Sequence, residues 1–380
     1  MDRSLYVPGP VPLPESVKQA MLQPMLSRRS PDFSEIILDV SKKLRDLMKT
    51  STNSILIPAS GTGAMECALQ NILFPGDTVL ALPCGVFGNR FAEIARRLGA
   101  RVIEENIDWG KGVDVNRIPS LLRSNPTVKA ILITHNETST GVVNPVQEIA
   151  AVIPENGPFL IVDAVSSLGA IPCYPEEWRI DALVSSSQKG LLCPPGIGLV
   201  WLTERVWKLV EKRGNSIGSY YFNLLDHREM LNLPLPTNPY TPPISLYFAL
   251  QASLDYISKE SYDAWFRKKA NAAKIFLGGI QSLGLDPFVE DPYFRSPAMS
   301  VIRIPNEKAT SVQKDLRSFG IEIAAGMGLF KENSVRIAHY HDFSLSETLM
   351  ILSALYVSSK KNGIVVNDHF LKEFQEYHLM

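Results

Sequence analysis

The chain carries 38 basic and 39 acidic side chains among 380 residues, so its formal net charge is −1. A balanced charge gives no electrostatic basis for binding nucleic acid or an anionic membrane surface. No apolar run approaches the ~20 residues that a membrane-spanning helix needs. With 45% hydrophobic residues the chain can bury a large core, and its length predicts two or three domains. A small-molecule partner is therefore expected.

The N-terminus and the cysteines indicate a reduced cytoplasmic protein. The opening stretch, MDRSLYVPGPVPLP, has no hydrophobic signal core, so we expect a cytoplasmic location. The cysteines lack the C-x-x-C spacing of metal ligands, which predicts reduced, packed thiols and no metal site. They are Cys67, Cys84, Cys173 and Cys193.

Seven short apolar runs alternate with amphipathic stretches from about residue 54 onward. The runs are nearly continuous in Val, Ile and Leu, as expected for strands that helices cover on both faces. This alternation predicts an α/β domain with a mainly parallel sheet. In chain order the predicted strands are Ser54–Pro58, Thr78–Leu82, Arg101–Glu105, Lys129–Thr134, Pro158–Asp163, Asp181–Ser185 and Gly196–Leu202.

Amphipathic segments predict the helices. Gly63–Phe74 and Asn89–Gly99 carry apolar residues at helical spacing, and each follows a predicted strand; the second predicted helix ends at Gly99. A proline-rich stretch at 231–247 interrupts the alternation, and a long helical region is predicted from Ile244 to Leu283.

The C-terminal part of the chain changes in style. Residues 297–340 contain PAMSVIRI, a predicted helix over Ala309–Phe319, and SVRIAH, which together predict a smaller α+β domain. We therefore divide the chain into an N-terminal arm at 1–20, a large domain at 21–258 and a small domain at 259–380.

Ligands of open parallel sheets bind beyond the carboxyl ends of the strands, so the loops that follow strands hold the candidate residues. Ser60-Gly61-Thr62-Gly63 lies between the first strand and a helix, where free backbone N–H groups and the helix dipole suit a phosphate. An ordinary tight turn is the alternative. No G-x-x-x-x-G-K-[ST] phosphate loop occurs in the chain.

Two ionisable residues also follow apolar strands. Asp163 ends the strand PFLIVD, and its carboxylate could pair with the protonated heteroaromatic nitrogen of a cofactor. Capping of the next turn is the alternative. Lys189 lies in SSSQKG between two predicted buried strands. Desolvation would lower its pKa, and a neutral amine attacks an aldehyde; a solvated loop lysine is the alternative.

Two further loops carry candidates for contact with a flat ring. Phe87, in CGVFGNR, follows a strand and could stack on such a ring, although a packed core phenylalanine is the common outcome. The segment THNETSTG at 134–141 also follows a strand. It places four polar residues where side chains can reach ring or phosphate oxygens, namely His135, Asn136, Thr138 and Thr140.

Together these segments resemble the class V aminotransferases, a family of fold-type I pyridoxal-phosphate enzymes. The resemblance extends from PGPVPLP to SVRIAH, and its most specific parts are THNETSTGVVNP, LIVDAVSSLGA and SSSQKGLLCPPGIG. The alanine–glyoxylate and serine–pyruvate (serine–glyoxylate) group is the nearest in pattern. The interval of 26 residues from Asp163 to Lys189 also suits the family. The resemblance implies a seven-stranded sheet in the large domain and pyridoxal 5′-phosphate as the cofactor.

The resemblance also implies roles for individual residues. Lys189 would form the Schiff base and shuttle a proton, and Asp163 would keep the pyridine nitrogen protonated. Phe87 would stack over the ring, and Arg336 would grip the α-carboxylate of the substrate. The other implied contacts are Ser60, Gly61, Thr62 and Gln188 for the phosphate, Thr138 near the 3′-oxygen, and Val165 beneath the ring.

Family resemblance further implies a homodimer with composite active sites. Either Tyr240 or Thr241, in the proline-rich stretch, would reach the phosphate of the neighbouring subunit. Pro8 and Gly9 would line the substrate entrance. The implied reaction moves an amino group from alanine or serine to glyoxylate or pyruvate.

Several alternatives remain. A 2-aminoethylphosphonate–pyruvate transaminase has similar segments, but its lysine typically follows Asn rather than Gln188. A cysteine desulfurase-like lyase needs a nucleophilic cysteine late in the chain, and every cysteine here precedes residue 194. A Rossmann oxidoreductase needs a glycine fingerprint that is missing. A scaffold without catalytic activity is the remaining possibility.

Overall fold

The computed structural model describes residues 3–378, apart from the side chains of residues 215, 377 and 378. The strands are β1 Ser4–Leu5, β2 Ile55–Ile57, β3 Thr78–Ala81, β4 Arg101–Glu104, β5 Val128–Thr134, β6 Asn136–Glu137, β7 Val142–Val143, β8 Phe159–Asp163, β9 Ala182–Ser186, β10 Gly198–Leu202, β11 Met299–Arg303, β12 Ile321–Glu322, β13 Ala324–Ala325 and β14 Ser334–Ala338. The α-helices are α1 Glu15–Ala20, α2 Pro31–Met48, α3 Gly61–Ile72, α4 Val86–Arg97, α5 Ile118–Ser124, α6 Val146–Val152, α7 Glu204–Arg213, α8 Leu224–Leu231, α9 Ile244–Ile257, α10 Tyr262–Ser282, α11 Ala309–Ser318, α12 Leu345–Lys361 and α13 Phe370–His378.

Seven strands form the large sheet in the order β2-β10-β9-β8-β5-β3-β4. Six of them run parallel, and β10 is antiparallel to both of its neighbours. The predicted α/β architecture with a mainly parallel sheet is confirmed. All seven predicted strands are present, and each end lies within two residues of the predicted one.

Both faces of this sheet are buried, which explains the continuous apolar runs. Alternate residues of β8 point to opposite faces: Leu160 and Val162 belong to one hydrophobic cluster, and Phe159 and Ile161 belong to the other. Helices cover each face, and the loops at the carboxyl edge are therefore the part of the sheet that remains open to a ligand.

A smaller sheet in the order β11-β14-β13 lies in the C-terminal region. Helices α10 to α13 and this sheet enclose a third hydrophobic cluster. The N-terminal strand β1 pairs with β12, so the start of the chain packs on this region. Helix α10 contributes Trp265 to a core of the large sheet and Phe276 to the C-terminal core. The boundaries after residues 20 and 258 stay a prediction.

The helical region predicted from Ile244 to Leu283 is present as two helices, because α9 ends at Ile257 and α10 begins at Tyr262. Ser261 caps α10, and its hydroxyl accepts a hydrogen bond from the backbone N–H of Ala264 at 3.1 Å. Serine side chains compete for backbone groups in this way and favour helix ends over helix interiors. Within the described range, none of the helices combines the length and the apolar character that crossing a membrane requires.

Candidate active site

Lys189 lies in the turn after β9 and is only 9% exposed. Ser187 closes the loop around it: its N–H donates to the carbonyl of Ile197 at 3.0 Å, and its hydroxyl donates to the carbonyl of Pro194 at 2.5 Å. The amine Nζ lies 5.0 Å from the centroid of the Phe87 ring. On another side the chain at Gly9 is so close that an added Cβ would lie 3.1 Å from Cγ of Lys189.

Asp163 is the last residue of β8, in register with Thr134 at the end of β5. Its Oδ1 accepts a hydrogen bond from the N–H of Val165 at 2.9 Å, and its Oδ2 accepts one from Oγ1 of Thr134 at 3.3 Å. The side chain is buried. The carboxylate is therefore held by two neutral donors beside the strand that precedes Lys189.

Burial shifts the pKa of both residues towards the neutral form. It lowers the pKa of Lys189, and the charge of Asp163 acts in the opposite sense. It raises the pKa of Asp163, against the hydrogen bond from Val165 and the charge of Lys189. Each charged form loses hydration in the interior, and this loss is the larger effect. A buried acid–base pair of this kind is typical of a functional site.

The N-terminus of α3 faces the same edge. Ser60 is its N-cap, and the hydroxyl accepts a hydrogen bond from the N–H of Gly63 at 3.3 Å. An added Cβ at Gly61 would lie 2.6 Å from Cγ2 of Val165. Gly61 therefore lets the first turn of the helix approach Val165. The free N–H groups of this turn suit an anion.

Arg336 reaches the site from the smaller sheet, at the centre of β14. Its Nε donates to the carbonyl of Ala325 at 2.7 Å, and its Nη1 donates to the carbonyl of Thr138 at 3.1 Å. Burial lowers the pKa of Arg336 to about 10. Across residues 3–378, no ion pair within 4.0 Å includes this guanidinium, so its charge is not neutralised by a salt bridge with the chain.

Two residues that the sequence did not single out also lie here. Arg90 donates to Oγ1 of Thr62 at 3.3 Å, and its guanidinium lies 4.9 Å from the centroid of the Phe87 ring. Phe87 and Arg90 are three residues apart on α4, a spacing that places both side chains on one face of the helix. The predicted helix begins only at Asn89 and leaves Phe87 outside, so the sequence did not indicate this pairing. Glu137 is fully buried and accepts hydrogen bonds from the backbone of Phe87. The polar residues that flank Glu137 in the sequence give no indication that it is buried.

The remaining predicted residues divide into two groups. Thr138 accepts the hydrogen bond from Arg336, and Gln188 precedes Lys189 in the chain. The hydroxyl Oγ1 of Thr138 and the amide oxygen Oε1 of Gln188 are buried without a hydrogen-bond partner. Tyr240 instead stacks on Tyr221 with ring centroids 4.5 Å apart. Its hydroxyl contacts His227 at 2.6 Å and the carbonyl of Tyr221. Thr241 is exposed.

In the segment 134–141 the other candidates point elsewhere. The ring of His135 packs edge-on against Trp178 at 5.7 Å, and burial lowers its pKa to about 4. Asn136 is tied to Ser166, and Thr140 donates to a carbonyl at 3.3 Å. These contacts position the segment and leave Thr138 as its member with an unpartnered buried hydroxyl.

Comparison with known proteins identifies the relatives of this chain. Residues 16–340 match the family model described as aminotransferase class-V. A serine–glyoxylate aminotransferase from Methylorubrum extorquens is 30% identical, with 95% of this chain and 92% of the relative covered. The structure of a ureidoglycine–glyoxylate aminotransferase from Bacillus subtilis matches with a TM-score of 0.92 at 27% identity, covering 98% of this chain and 97% of the other. That of an alanine–glyoxylate aminotransferase from Nostoc sp. matches with a TM-score of 0.87 at 27% identity, covering 94% and 95%.

The large sheet and the buried lysine at its carboxyl edge, together with these structural neighbours, define a fold-type I pyridoxal-phosphate transaminase. The chain belongs to the class V aminotransferases, and its relatives include serine–glyoxylate and alanine–glyoxylate enzymes.

The residues at this edge fit pyridoxal phosphate. A helix N-terminus without a Cβ at Gly61 suits the phosphate. The unpartnered oxygens of Thr138, Ser186 and Gln188 are buried polar atoms that gain from a polar ligand. Lys189 and Asp163 match the aldehyde and the pyridine nitrogen of the cofactor in chemistry.

Proposed function

We propose that this aminotransferase moves an amino group from a small neutral amino acid to glyoxylate or pyruvate, with Lys189 bonded covalently to the cofactor aldehyde. The observation that carries the proposal is the buried pair of Lys189 and Asp163, with the lysine amine 5.0 Å from the centroid of the Phe87 ring. When bound, pyridoxal phosphate supplies an electron sink for the substrate carbanion.

The residues of the chain provide the rest of the chemistry. Desolvation favours the neutral amine of Lys189, which is the form that attacks an aldehyde and accepts a proton at Nζ. The carboxylate of Asp163 would hold a protonated ring nitrogen of the cofactor, and that pairing would lower the raised pKa of Asp163. Arg336 would bind the α-carboxylate that donor and acceptor share, since both of its hydrogen bonds go to backbone carbonyls and no salt bridge within residues 3–378 neutralises it.

Small neutral donors are favoured by the arrangement of the arginines. Arg90 donates to Thr62 and stacks on Phe87, so we assign it to the side of the cofactor phosphate. We therefore assign no second arginine to a side-chain carboxylate of the donor. The names of the three relatives share glyoxylate and differ in the donor, which supports glyoxylate as the first acceptor to test.

The test begins with the chromophore. Protein loaded with pyridoxal phosphate should be yellow, and borohydride should fix the label on Lys189 in the peptide map. Lys189→Ala should keep the fold and lose turnover. Lys269 is the internal control, because it is also buried and burial lowers its pKa to about 7. Label on Lys269, or transamination by Lys189→Ala, would overturn the assignment.

The donor and acceptor can be read from half-reactions. Each amino acid is mixed with the loaded enzyme, and the loss of the cofactor's visible absorbance is followed; each 2-oxo acid is then tested for its recovery. We expect alanine or serine to bleach the enzyme and glyoxylate to restore it fastest. Faster bleaching by aspartate or glutamate would contradict the assignment of Arg90.

We also propose a homodimer with composite active sites. Arg28 and Ser34 are hydrogen-bonded to the proline-rich segment at the carbonyls of Asn238 and Pro236, so the two stretches form one surface. That surface exposes large apolar side chains, namely Leu22, Met25, Leu38, Leu233 and Leu235. Exposed apolar patches of this kind mark interfaces. Tyr240 and Thr241 come a few residues after Leu235 in the same proline-rich segment, so a partner subunit on this surface would lie near them.

Subunit mixing tests the composite site. Lys189→Ala is mixed with a double variant, Tyr240→Phe with Thr241→Ala, under conditions that exchange subunits. If the sites are composite, mixed dimers contain one intact site and regain activity that neither parent has. A monomer in sedimentation, or full activity of the double variant, would contradict the proposal.

The location is proposed as cytoplasmic. All four cysteines are buried and free, and unpaired thiols are typical of a reducing compartment.

A further inference from the structure

Glu137 is a buried carboxylate whose hydrogen-bond partners are all neutral. It is fully buried, at 0% exposure. Its Oε2 accepts hydrogen bonds from the backbone N–H groups of Phe87 and Gly88, each at 2.9 Å. Its Oε1 accepts one from the N–H of Ser139 at 3.0 Å and one from its hydroxyl at 2.6 Å. Burying an ionised group costs free energy unless hydrogen bonds from the protein replace those from water.

These bonds cap helix α4 from another part of the chain. The N-cap of α4 is Gly85, which has no side chain to offer, and the first turn of the helix has no acidic residue. The N–H of Val86 donates to the hydroxyl of Ser139 at 2.9 Å. Ser139 and Glu137 together therefore take the first three N–H groups of the helix, where a negative charge is also favoured by the dipole.

The helix and the carboxylate are in close contact. An added Cβ at Gly85 would lie 2.5 Å from Cγ of Glu137 and 2.3 Å from the hydroxyl of Ser139. Any larger residue at Gly85 would force the two segments apart. Since the second residue of this helix is Phe87, the contact sets where its ring lies relative to Lys189, whose amine is 5.0 Å from the ring centroid.

The same segment also meets the substrate side of the site. The carbonyl of Thr138, the residue after Glu137, accepts the hydrogen bond from Arg336 at 3.1 Å. The charge of Glu137 raises the pKa of Arg336 and of Lys189, against the effect of burial. The Glu137 carboxylate is therefore hydrogen-bonded to the residue whose ring lies beside Lys189, and it belongs to the residue that precedes the carbonyl contacted by Arg336.

We propose that Glu137 is a positioning residue, which holds Phe87 in place beside Lys189, where the cofactor ring would bind, and which places a carboxylate near Lys189 and Arg336. The proposal rests on the proposed function, because it assigns a role toward the bound cofactor. It assigns no contact with the substrate to Glu137 itself.

The test compares Glu137→Gln with Glu93→Gln in the loaded enzyme. Glu93 is an exposed carboxylate on the same helix, paired with Arg97 at 2.8 Å. Glu137→Gln should weaken the binding of pyridoxal phosphate about tenfold or more, the loss expected when a charged acceptor is replaced. The pH midpoint of the bound cofactor's absorbance should move down, because a protonated nitrogen at Lys189 loses a stabilising anion. Glu93→Gln should match the wild type in both.

Ser139→Ala separates the tether from the charge. It removes the hydroxyl that contacts Glu137 and Val86 and keeps the carboxylate. We expect it to weaken cofactor binding and to leave the pH midpoint unchanged. If Glu137→Gln does not fold, the binding constant of Ser139→Ala decides: tenfold weaker binding supports the tether, and unchanged binding overturns it.

The outcomes separate this inference from the proposed function. Wild-type protein that takes up no pyridoxal phosphate would refute the proposed function. Wild-type uptake with unchanged binding and an unchanged pH midpoint in Glu137→Gln would refute the positioning role alone. A lower melting temperature of Glu137→Gln without either change would assign Glu137 to stability and would also overturn the role.

Discussion

Gly61 carries the prediction that the structure defines most sharply. Replacing it with alanine adds a Cβ that would lie 2.6 Å and 2.9 Å from the two γ-carbons of Val165 and 3.1 Å from the hydroxyl of Ser186. Carbon atoms in contact are ordinarily about 3.5–4.0 Å apart. The first turn of α3 and the loop after β8 must therefore separate in Gly61→Ala.

Overpacking of this kind costs about 1–3 kcal/mol. Unfolding entropy is about 2.1 cal/mol/K per residue, which is roughly 0.8 kcal/mol/K for a chain of this length. A loss near ~2 kcal/mol therefore lowers the melting temperature by about 2–3 °C. Val165→Ala removes both γ-carbons that clash, so the double variant should be more stable than the two single effects predict, by about 1–2 kcal/mol.

The measurement is thermal unfolding of the cofactor-free protein, followed by titration with pyridoxal phosphate. Glu66→Ala, at an exposed position of the same helix, is the control and should change stability by less than about 0.5 kcal/mol. A melting temperature of Gly61→Ala equal to that of the wild type would refute the close approach. Strict additivity in the double variant would show that the clash lies elsewhere.

Two further predictions concern ionisation and charge. Because burial lowers the pKa of Lys189, the neutral amine is present at lower pH than in an ordinary lysine. The rate of cofactor uptake should therefore rise with pH and level off well below pH 10, and a plateau only above pH 10 would contradict this. Arg336→Lys should raise KM for amino acid and 2-oxo acid about 10–100-fold, since an ammonium cannot replace a two-pronged guanidinium. The binding constant of the cofactor should stay unchanged. Weaker cofactor binding by Arg336→Lys would show that Arg336 contacts the cofactor and not the substrate.

The strands could be predicted because their cause is local. Each strand of the large sheet is buried on both faces, so a run such as Phe159–Asp163 is apolar throughout and ends at a polar residue. Because all of these strands are apolar throughout, the sequence did not indicate that β10 is antiparallel to its neighbours. Its residues, Gly198–Leu202, are all buried like those of the parallel strands, and nothing in an apolar run records which way it lies. Strand order likewise depends on crossovers and not on the pattern within a run.

Glu137 could not be predicted, because its cause is distant in sequence. A glutamate among polar residues is ordinarily exposed, and its burial depends on N–H groups 50 and 49 residues earlier in the chain. The break between α9 and α10 is a different case. Ser258 and Ser261 flank it in the sequence, and either serine could have indicated a helix end. The prediction instead followed the apolar periodicity, which is present on both sides of the break.

One eight-residue segment, Thr134 to Gly141, explains how these parts act as one site. Its Thr134 hydroxyl bonds Asp163, its Glu137 carboxylate bonds the helix of Phe87, and its Thr138 carbonyl bonds Arg336. A shift of this segment would therefore move Phe87, the proposed partner of the cofactor ring, together with Arg336, the proposed partner of the substrate carboxylate. We therefore expect the choice of amino donor in this chain to depend on side chains outside the segment, because altering the segment would disturb steps that every donor shares. The arm at Gly9, where an added Cβ would lie 3.1 Å from Cγ of Lys189, is the first place to look for them.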